Sequence, residues 1–253
     1  MRPPSDRASA PPPALWLKRV VRDALGTFGL EISRATARAD TTTAFSSLLH
    51  EAGVSVVLDV GAATGEFAGN LRRRGFEGRI VSFEPRREAF TELSRRAARD
   101  PRWSARKFAV GAATDEVTMN VAANRVSSSI LEMEQLHIDA APRAAYVETE
   151  DVRLARLDDL VAETLDPSDI VALKLDVQGY EAAVLEGAVK TLKRSAALHI
   201  ELSLAPVYKG QPDWRVLCDD LIDRGFVLYA LQPVFSDPST GQTLQIDAAF
   251  RRA

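Results

Sequence analysis

Residues 56–71 read VVLDVGAATGEFAGNL: an apolar run that ends in Asp59, then Gly61 and Gly65, then an amphipathic segment carrying Phe67 and Leu71. Glycine serves where backbone must approach a ligand closely or take a positive φ, so a ligand loop between a strand and a helix is predicted. The spacing is GxxxG, with Ala63 where a dinucleotide fingerprint would carry its second glycine, which weakens a pyrophosphate reading. An acidic residue at the end of a first strand suits instead a cofactor that joins adenosine to a cationic amino group, as S-adenosylmethionine does. Nineteen residues past Gly65, Glu84 ends the second strand in SFEP. A carboxylate there can accept hydrogen bonds from both hydroxyls of a ribose.

A second constellation lies in VALKLDVQGYEAAVLEGA, residues 171–188. Side chains alternate along a strand, so Lys174 and Asp176 share a face, and Asp176 sits at its carboxyl end. Two charges on one buried face need each other or a ligand. Glu181 falls in the first turn of the next helix, where the dipole favours a carboxylate; it is either a helix-end charge or a site residue. In LHIEL, His199 and Glu201 share a face, with Glu201 nearer the ligand end. His199 reads equally as a hydrogen-bonded core histidine. Two or three converging carboxylates could also hold Mg²⁺, which takes oxygen ligands.

These residues need elements to position them. Thr42 or Thr43 can cap a helix carrying Phe45, Leu48 and Leu49, with Gly53 as its stop. Val54–Leu58, Ile80–Phe83 and Arg106–Val110 read as strands, with a helix over Pro85–Ala98 and a more exposed strand over Val117–Val121. Residues 122–146 show no period, and a connection of that length is usually functional; substrate contacts at Ser127, Ser128 and Ser129 are expected there. Alternation then resumes with strands over Ile170–Asp176, Ala197–Leu202 and Phe226–Leu231, and helices over Tyr180–Leu192 and Trp214–Arg224. The closing segment Thr243–Phe250 follows too short a connection for a crossover helix, so it should pair antiparallel with its predecessor. The pattern is α/β, a Rossmann-like sheet with helices on both faces and its ligand at the carboxyl ends of the strands.

The 253 residues carry 32 Lys and Arg against 35 Asp and Glu, a formal charge of −3, so no global basic footprint marks a nucleic-acid partner. Cys218 is the single cysteine, which excludes an internal disulfide and suits a reducing compartment. No apolar run is long enough for a membrane span, and prolines interrupt the place of a signal peptide's apolar core, so a cytoplasmic protein is expected. Residues 1–13 are Pro/Ala/Ser-rich and read as a disordered tail. Leu17, Val20, Val21, Leu25 and Phe28 then fall at helical spacing among Lys18, Arg19 and Arg22. Such a basic amphipathic helix either packs on the following domain or lies on the inner face of the membrane. The expected organisation is a tail and helix over 1–40 and one domain over 41–253.

LDVGAATGEF, FEP, the serines 127–129, RLDDL at 156–160, LKLDVQGYEAAVLEGA, IELS around Glu201 and the closing LQIDAAF, taken in order, resemble the FkbM-type methyltransferase family. KLDVQGYE is the most distinctive of these, and Ala63 stands where the family commonly has asparagine. The resemblance spans about residues 54–250. It implies a class I methyltransferase fold with seven strands, the last antiparallel, S-adenosylmethionine as cofactor, and O-methylation of sugars, glycolipids, polysaccharides or polyketide-like products. On that reading Asp59, Gly61, Ala62, Gly65, Glu84, Val110 and Asp176 contact the cofactor. Asp176, Glu181 and Glu201 ring the acceptor as base or orienter, with His199 as the alternative. An amino-methyltransferase acting on nucleic acid would carry an Asn/Asp-Pro-Pro-aromatic run where DVQG stands. A non-catalytic protein that binds S-adenosylmethionine is the remaining rival.

Overall fold

In the computed structural model, which describes residues 40–253, short β-branched runs alternate with amphipathic helices. The expected tail and basic helix lie outside the described residues. Helix α1 (Thr41–Glu51) is capped by Asp40, whose carboxylate accepts from the Thr43 N–H, so neither Thr42 nor Thr43 is the cap. The chain leaves it through Gly53 at φ +63°. Strand β1 (Val56–Val60) is buried throughout, as a central parallel strand must be. There follow α2 (Glu66–Arg73), β2 (Arg79–Phe83), α3 (Arg87–Ala97) and β3 (Trp103–Arg106).

At this point the structure departs from the expected single strand over Arg106–Val110. Lys107 and Phe108 break it, and β4 (Ala109–Val110) joins a second, three-stranded sheet with β5 (Asp115–Ala122) and β6 (Tyr146–Ala155). β6 gave no sequence signal because it is largely solvated: of YVETEDVRLA, Val152, Leu154 and Ala155 are buried. Between β5 and β6 the long excursion carries the short helix α4 (Gln135–Ala140), and bridges Asn120 to Ser129 and Met133 to Tyr208.

The second half comprises α5 (Leu157–Val161), β7 (Val171–Leu175), α6 (Glu181–Gly187), α7 (Val189–Arg194), β8 (Ser195–Ser203), α8 (Trp214–Asp223), β9 (Phe226–Ser236) and β10 (Thr243–Arg252). The expected helix over 180–192 is thus divided. Gly187 lies so close to the Gly111 carbonyl that a Cβ would stand 1.9 Å from its oxygen. Strand order in the main sheet is β3-β2-β1-β7-β8-β10-β9, with β10 antiparallel to both its neighbours and the other pairings parallel. This is the Rossmann-like class I methyltransferase arrangement that the resemblance implies. The order reverses between β1 and β7, where such sheets bind ligands.

Period-two alternation divides the sheet's residues between two cores. Val56, Leu58, Val60, Leu173, Leu175, Leu198 and Ile200 pack under α5 to α8, while Val57, Ala172 and Ala197 pack under Phe45, Leu48 and Leu49 of α1 and Leu71 of α2. Fully burying each larger aliphatic side chain contributes about 1.5–3 kcal/mol. The second face also bears Asp59, Lys174 and His199, which stand side by side in register across β1, β7 and β8.

Candidate active site

The glycine loop owes its shape to two contacts that no larger residue permits. Gly61 has φ +75°, and a Cβ on it would meet the Asp176 carbonyl oxygen at 1.8 Å. Gly65, at φ +85°, opens α2 against Leu93 and Trp103. Between them Ala63 also takes a positive φ, 45°, and its N–H donates to Glu84 Oε2 at 2.9 Å. The other Glu84 oxygen accepts from the Arg86 N–H at 3.0 Å. Each oxygen keeps a lone pair, and burial holds the carboxyl above its ordinary range against these bonds and the Arg86 charge.

A cavity of about 360 Å³ runs from this loop across the carboxyl ends of β1, β7 and β8. Its near end is lined by Gly61, Ala63, Glu84 and Phe108–Val110. Ser127 and Ser128 form part of its wall, with Ser128 Oγ accepting from the Arg86 guanidinium at 3.0 Å and from the Ala122 N–H at 3.0 Å. The far end is lined by Asp176, Gln178, Glu201 and Gln245, with the His137 and Phe235 rings beside them, while Tyr180 packs toward Ala109 and Leu154 at the near end.

At that far end Gln178 connects the acidic groups. Its amide nitrogen donates to Asp176 Oδ1 at 2.7 Å and to Glu201 Oε2 at 2.9 Å, and its Oε1 accepts from the buried Tyr208 hydroxyl at 2.6 Å. Gln245 donates to the same Glu201 oxygen at 2.7 Å. One oxygen of Glu201 is therefore held by two amides, while Oε1 has no hydrogen-bond partner among the described residues. Burial, then the neighbouring Asp176, Glu181 and Asp247 charges, raise its pKa well above the usual carboxylate value.

Beneath the loop the charges pair as their shared face requires. Lys174 Nζ donates to the Gly61 carbonyl at 2.8 Å and lies 3.5 Å from both Asp59 and Asp176. Burial opposes its charge, but the surrounding carboxylates outweigh that and hold its pKa above the ordinary lysine value. Asp59 is fully buried, accepts from Ser82 Oγ at 2.9 Å, and is raised by that burial.

Of the expected cofactor residues, Gly61, Glu84, Val110 and Asp176 line the main cavity, and Ala62 lines a neighbouring one. Asp59 and Gly65 line neither: the first supports Lys174 from below, the second shapes the turn. Glu201 faces the far end, whereas Glu181 is turned away into the fold. Its Oε1 accepts from the Val177 and Gly179 N–H groups at 3.0 and 3.3 Å, closing the 177–179 turn, and burial raises its pKa to about 7. His199 lines the neighbouring cavity. Ser129 is also withdrawn, its hydroxyl donating to the Gln178 carbonyl at 2.7 Å. Gln178, Tyr208 and Gln245 join the site without having been assigned a role from the sequence. The polar Gln178 directly past a buried strand end was a usable sign; Tyr208 and Gln245 come from segments that only the fold brings near.

No group of three or more His, Cys, Asp or Glu is placed to hold a metal ion among the described residues. Of the carboxylates expected to converge, Glu181 is spent on the Val177 and Gly179 N–H groups, and Asp176 and Glu201 face the cavity. No described helix is long and apolar enough to cross a membrane.

The methyltransferase FkbM domain family matches residues 59–228. No curated protein matches the chain in sequence. Among solved structures, an rRNA methylase from Streptococcus thermophilus is 14% identical, with 86% of this chain and 99% of that one covered and a TM-score of 0.47. The magnesium protoporphyrin IX methyltransferase of Synechocystis is 11% identical over 98% of this chain and 100% of that one, at a TM-score of 0.45. The family match spans two-thirds of the chain, from the end of β1 through β8 into β9, and includes the whole glycine loop and DVQG turn: the chain belongs to the FkbM-domain methyltransferases.

Proposed function

We propose that the protein is an S-adenosylmethionine-dependent O-methyltransferase, acting on a hydroxyl of a sugar, glycolipid or polysaccharide precursor. Glu84, with a lone pair left on each oxygen, suits the two ribose hydroxyls, and Phe108 to Val110 suit the adenine. The cofactor would supply an electrophilic methyl group; this chain's residues would align and activate the acceptor oxygen. A neutral hydroxyl is a poor nucleophile, and a general base within reach contributes about 10²–10⁴-fold.

Glu201 is the observation that carries the reading. It faces the far end of the cavity beside Asp176, with one oxygen fixed by Gln178 and Gln245 and the other open, and its pKa is raised toward the range where a carboxylate can take a proton. Gln178 donates to both Asp176 and Glu201 and keeps them side by side; Asp176 orients the acceptor while Glu201 receives its proton. Of the cations lining this cavity, Arg86 lies 3.6 Å from the Glu84 carboxylate and donates to Ser128, and Arg125 pairs with Glu88, so each is matched by a carboxylate. An uncharged acceptor therefore fits better than a nucleic acid or a diphosphate.

The test is methyl transfer from labelled S-adenosylmethionine to a panel of glycolipids, free oligosaccharides, polyketide-like alcohols, nucleotide sugars and RNA. Label on a neutral hydroxyl compound is expected. Label on RNA would overturn the acceptor class, and cofactor binding with no transfer to any of them would favour a non-catalytic binding protein.

A further inference from the structure

Beside the main cavity lies another, of about 430 Å³, which meets it over Gly61 and Ala63 and shares Asp176 with it. Lys174, His199 and Asp247 line it, with Phe67 of α2 as a wall. His199 is unusual there. It is 3% exposed, and neither ring nitrogen has a hydrogen-bond partner among the described residues. Its ring is held between Phe45 and Phe67, at centroid distances of 5.5 and 5.2 Å. Its Nε2 stands 3.7 Å from Asp247 Oδ2, beyond hydrogen-bond reach. A buried donor and acceptor left without partners are each costly, so a protein that retains them gains from something that binds there.

The cofactor proposed above has two ends, and its ribose at Glu84 leaves two directions for the chain beyond it. One is the far end of the main cavity, where Gln178, Glu201 and Gln245 offer amides and a carboxyl but no cation. The other is this second cavity, where an ammonium, a carboxyl and an unpartnered imidazole stand together. An amino-acid group carries one positive and one negative charge and needs partners of both signs. The acceptor needs neither.

We propose that the second cavity holds the amino-acid end of the cofactor, with Asp247 receiving its ammonium group and His199, beside Lys174, donating to its carboxylate. This makes His199 a binding residue rather than the alternative base, and it leaves the far end of the main cavity to the acceptor. Burial, reinforced by Lys174, holds the His199 pKa down to about 4, so the ring is neutral and keeps one donor and one acceptor.

The assignment rests on the cofactor reading, and calorimetry with two ligands separates them. S-adenosylhomocysteine carries the amino-acid end; 5′-methylthioadenosine lacks it. The full chain is expected to bind the former at least tenfold more tightly. His199→Phe, which preserves the aromatic stack, and Asp247→Asn should each weaken S-adenosylhomocysteine about tenfold and leave methylthioadenosine within twofold. In the wild-type chain the His199 ring resonances should move with S-adenosylhomocysteine and not with methylthioadenosine, a result that does not depend on either variant folding. Equal affinity for the two ligands in the wild type, or equal loss for both in the variants, overturns the assignment while the cofactor reading stands. If neither ligand binds the wild type, the cofactor reading fails and this assignment falls with it.

Discussion

The two ends of the main cavity are built by different means. At the Glu84 end the groups come from the 61–65 loop, Glu84, Arg86 and Phe108–Val110, and what shapes the loop is backbone: three positive-φ residues, a carbonyl pressed against Gly61, and N–H groups donating to one carboxylate. At the Glu201 end the groups come from residues 176–178, 201, 208 and 245, joined by side-chain amides and a hydroxyl. The first kind of site tolerates almost no added atom. The second tolerates atoms but depends on every hydrogen bond in the chain of contacts, since a buried group left unpaired costs more than a made bond returns.

The sharpest way to break this contrast is Gly61→Ala. A methyl 1.8 Å from a backbone oxygen, at a φ that alanine resists, should destabilise by at least about 3 kcal/mol and abolish cofactor binding. Thermal unfolding and calorimetry would show it, and a well-folded, cofactor-binding variant would mean that the loop is not the rigid half. Next in size, Glu201→Gln removes a proton acceptor without removing atoms. Turnover should fall by about 10²–10⁴ while cofactor affinity holds, and wild-type turnover would place the base elsewhere. Glu84→Ala should weaken cofactor binding by about 10–100-fold through lost charge-assisted bonds, with little effect on acceptor KM. Equal losses in both would erase the distinction between the ends.

A last effect, on stability and not on function, concerns Glu181, which belongs to neither end. Burial lifts its pKa from 4.5 to about 7, so the folded state retains a proton that the unfolded state has released. Its contribution to stability is therefore complete at low pH and is lost as pH rises from about 4.5 through 7, by about 3 kcal/mol at most on the usual conversion. Glu181→Gln keeps an oxygen for the Val177 and Gly179 N–H groups and cannot ionise. Denaturant midpoints between pH 5 and pH 8 should decline less in the variant than in the wild type. A parallel decline would show that Glu181 is not what titrates, and a large loss of turnover in the variant would return it to the chemistry.

Much of the Glu84 end is legible in the sequence because its information is local. GxxxG after a buried strand, and a carboxylate at the end of the next strand, state a tight turn and an acceptor beside it within one βαβ unit. Period two likewise placed Lys174 with Asp176 and His199 with Glu201, and the short 231–243 connection announced the antiparallel end of the sheet. Other features did not carry a local mark. β6 is mostly solvated and charged, so alternation could not reveal it, and Lys107 and Phe108 divide a run that composition alone joins to β3. Glu181 reads as a site residue in KLDVQGYE, yet its carboxylate turns inward because the 177–179 turn needs an acceptor. From the amino-acid sequence alone follow the α/β class, the family and the identities of the residues at the strand ends. Which of those carboxylates face the cavity, that Gln178, Tyr208 and Gln245 join them, and that His199 stands unpartnered beside Asp247, were decided by tertiary structure. Each depends on segments tens of residues apart meeting at one sheet edge, where burial and hydrogen bonding select among side chains that look alike in the sequence.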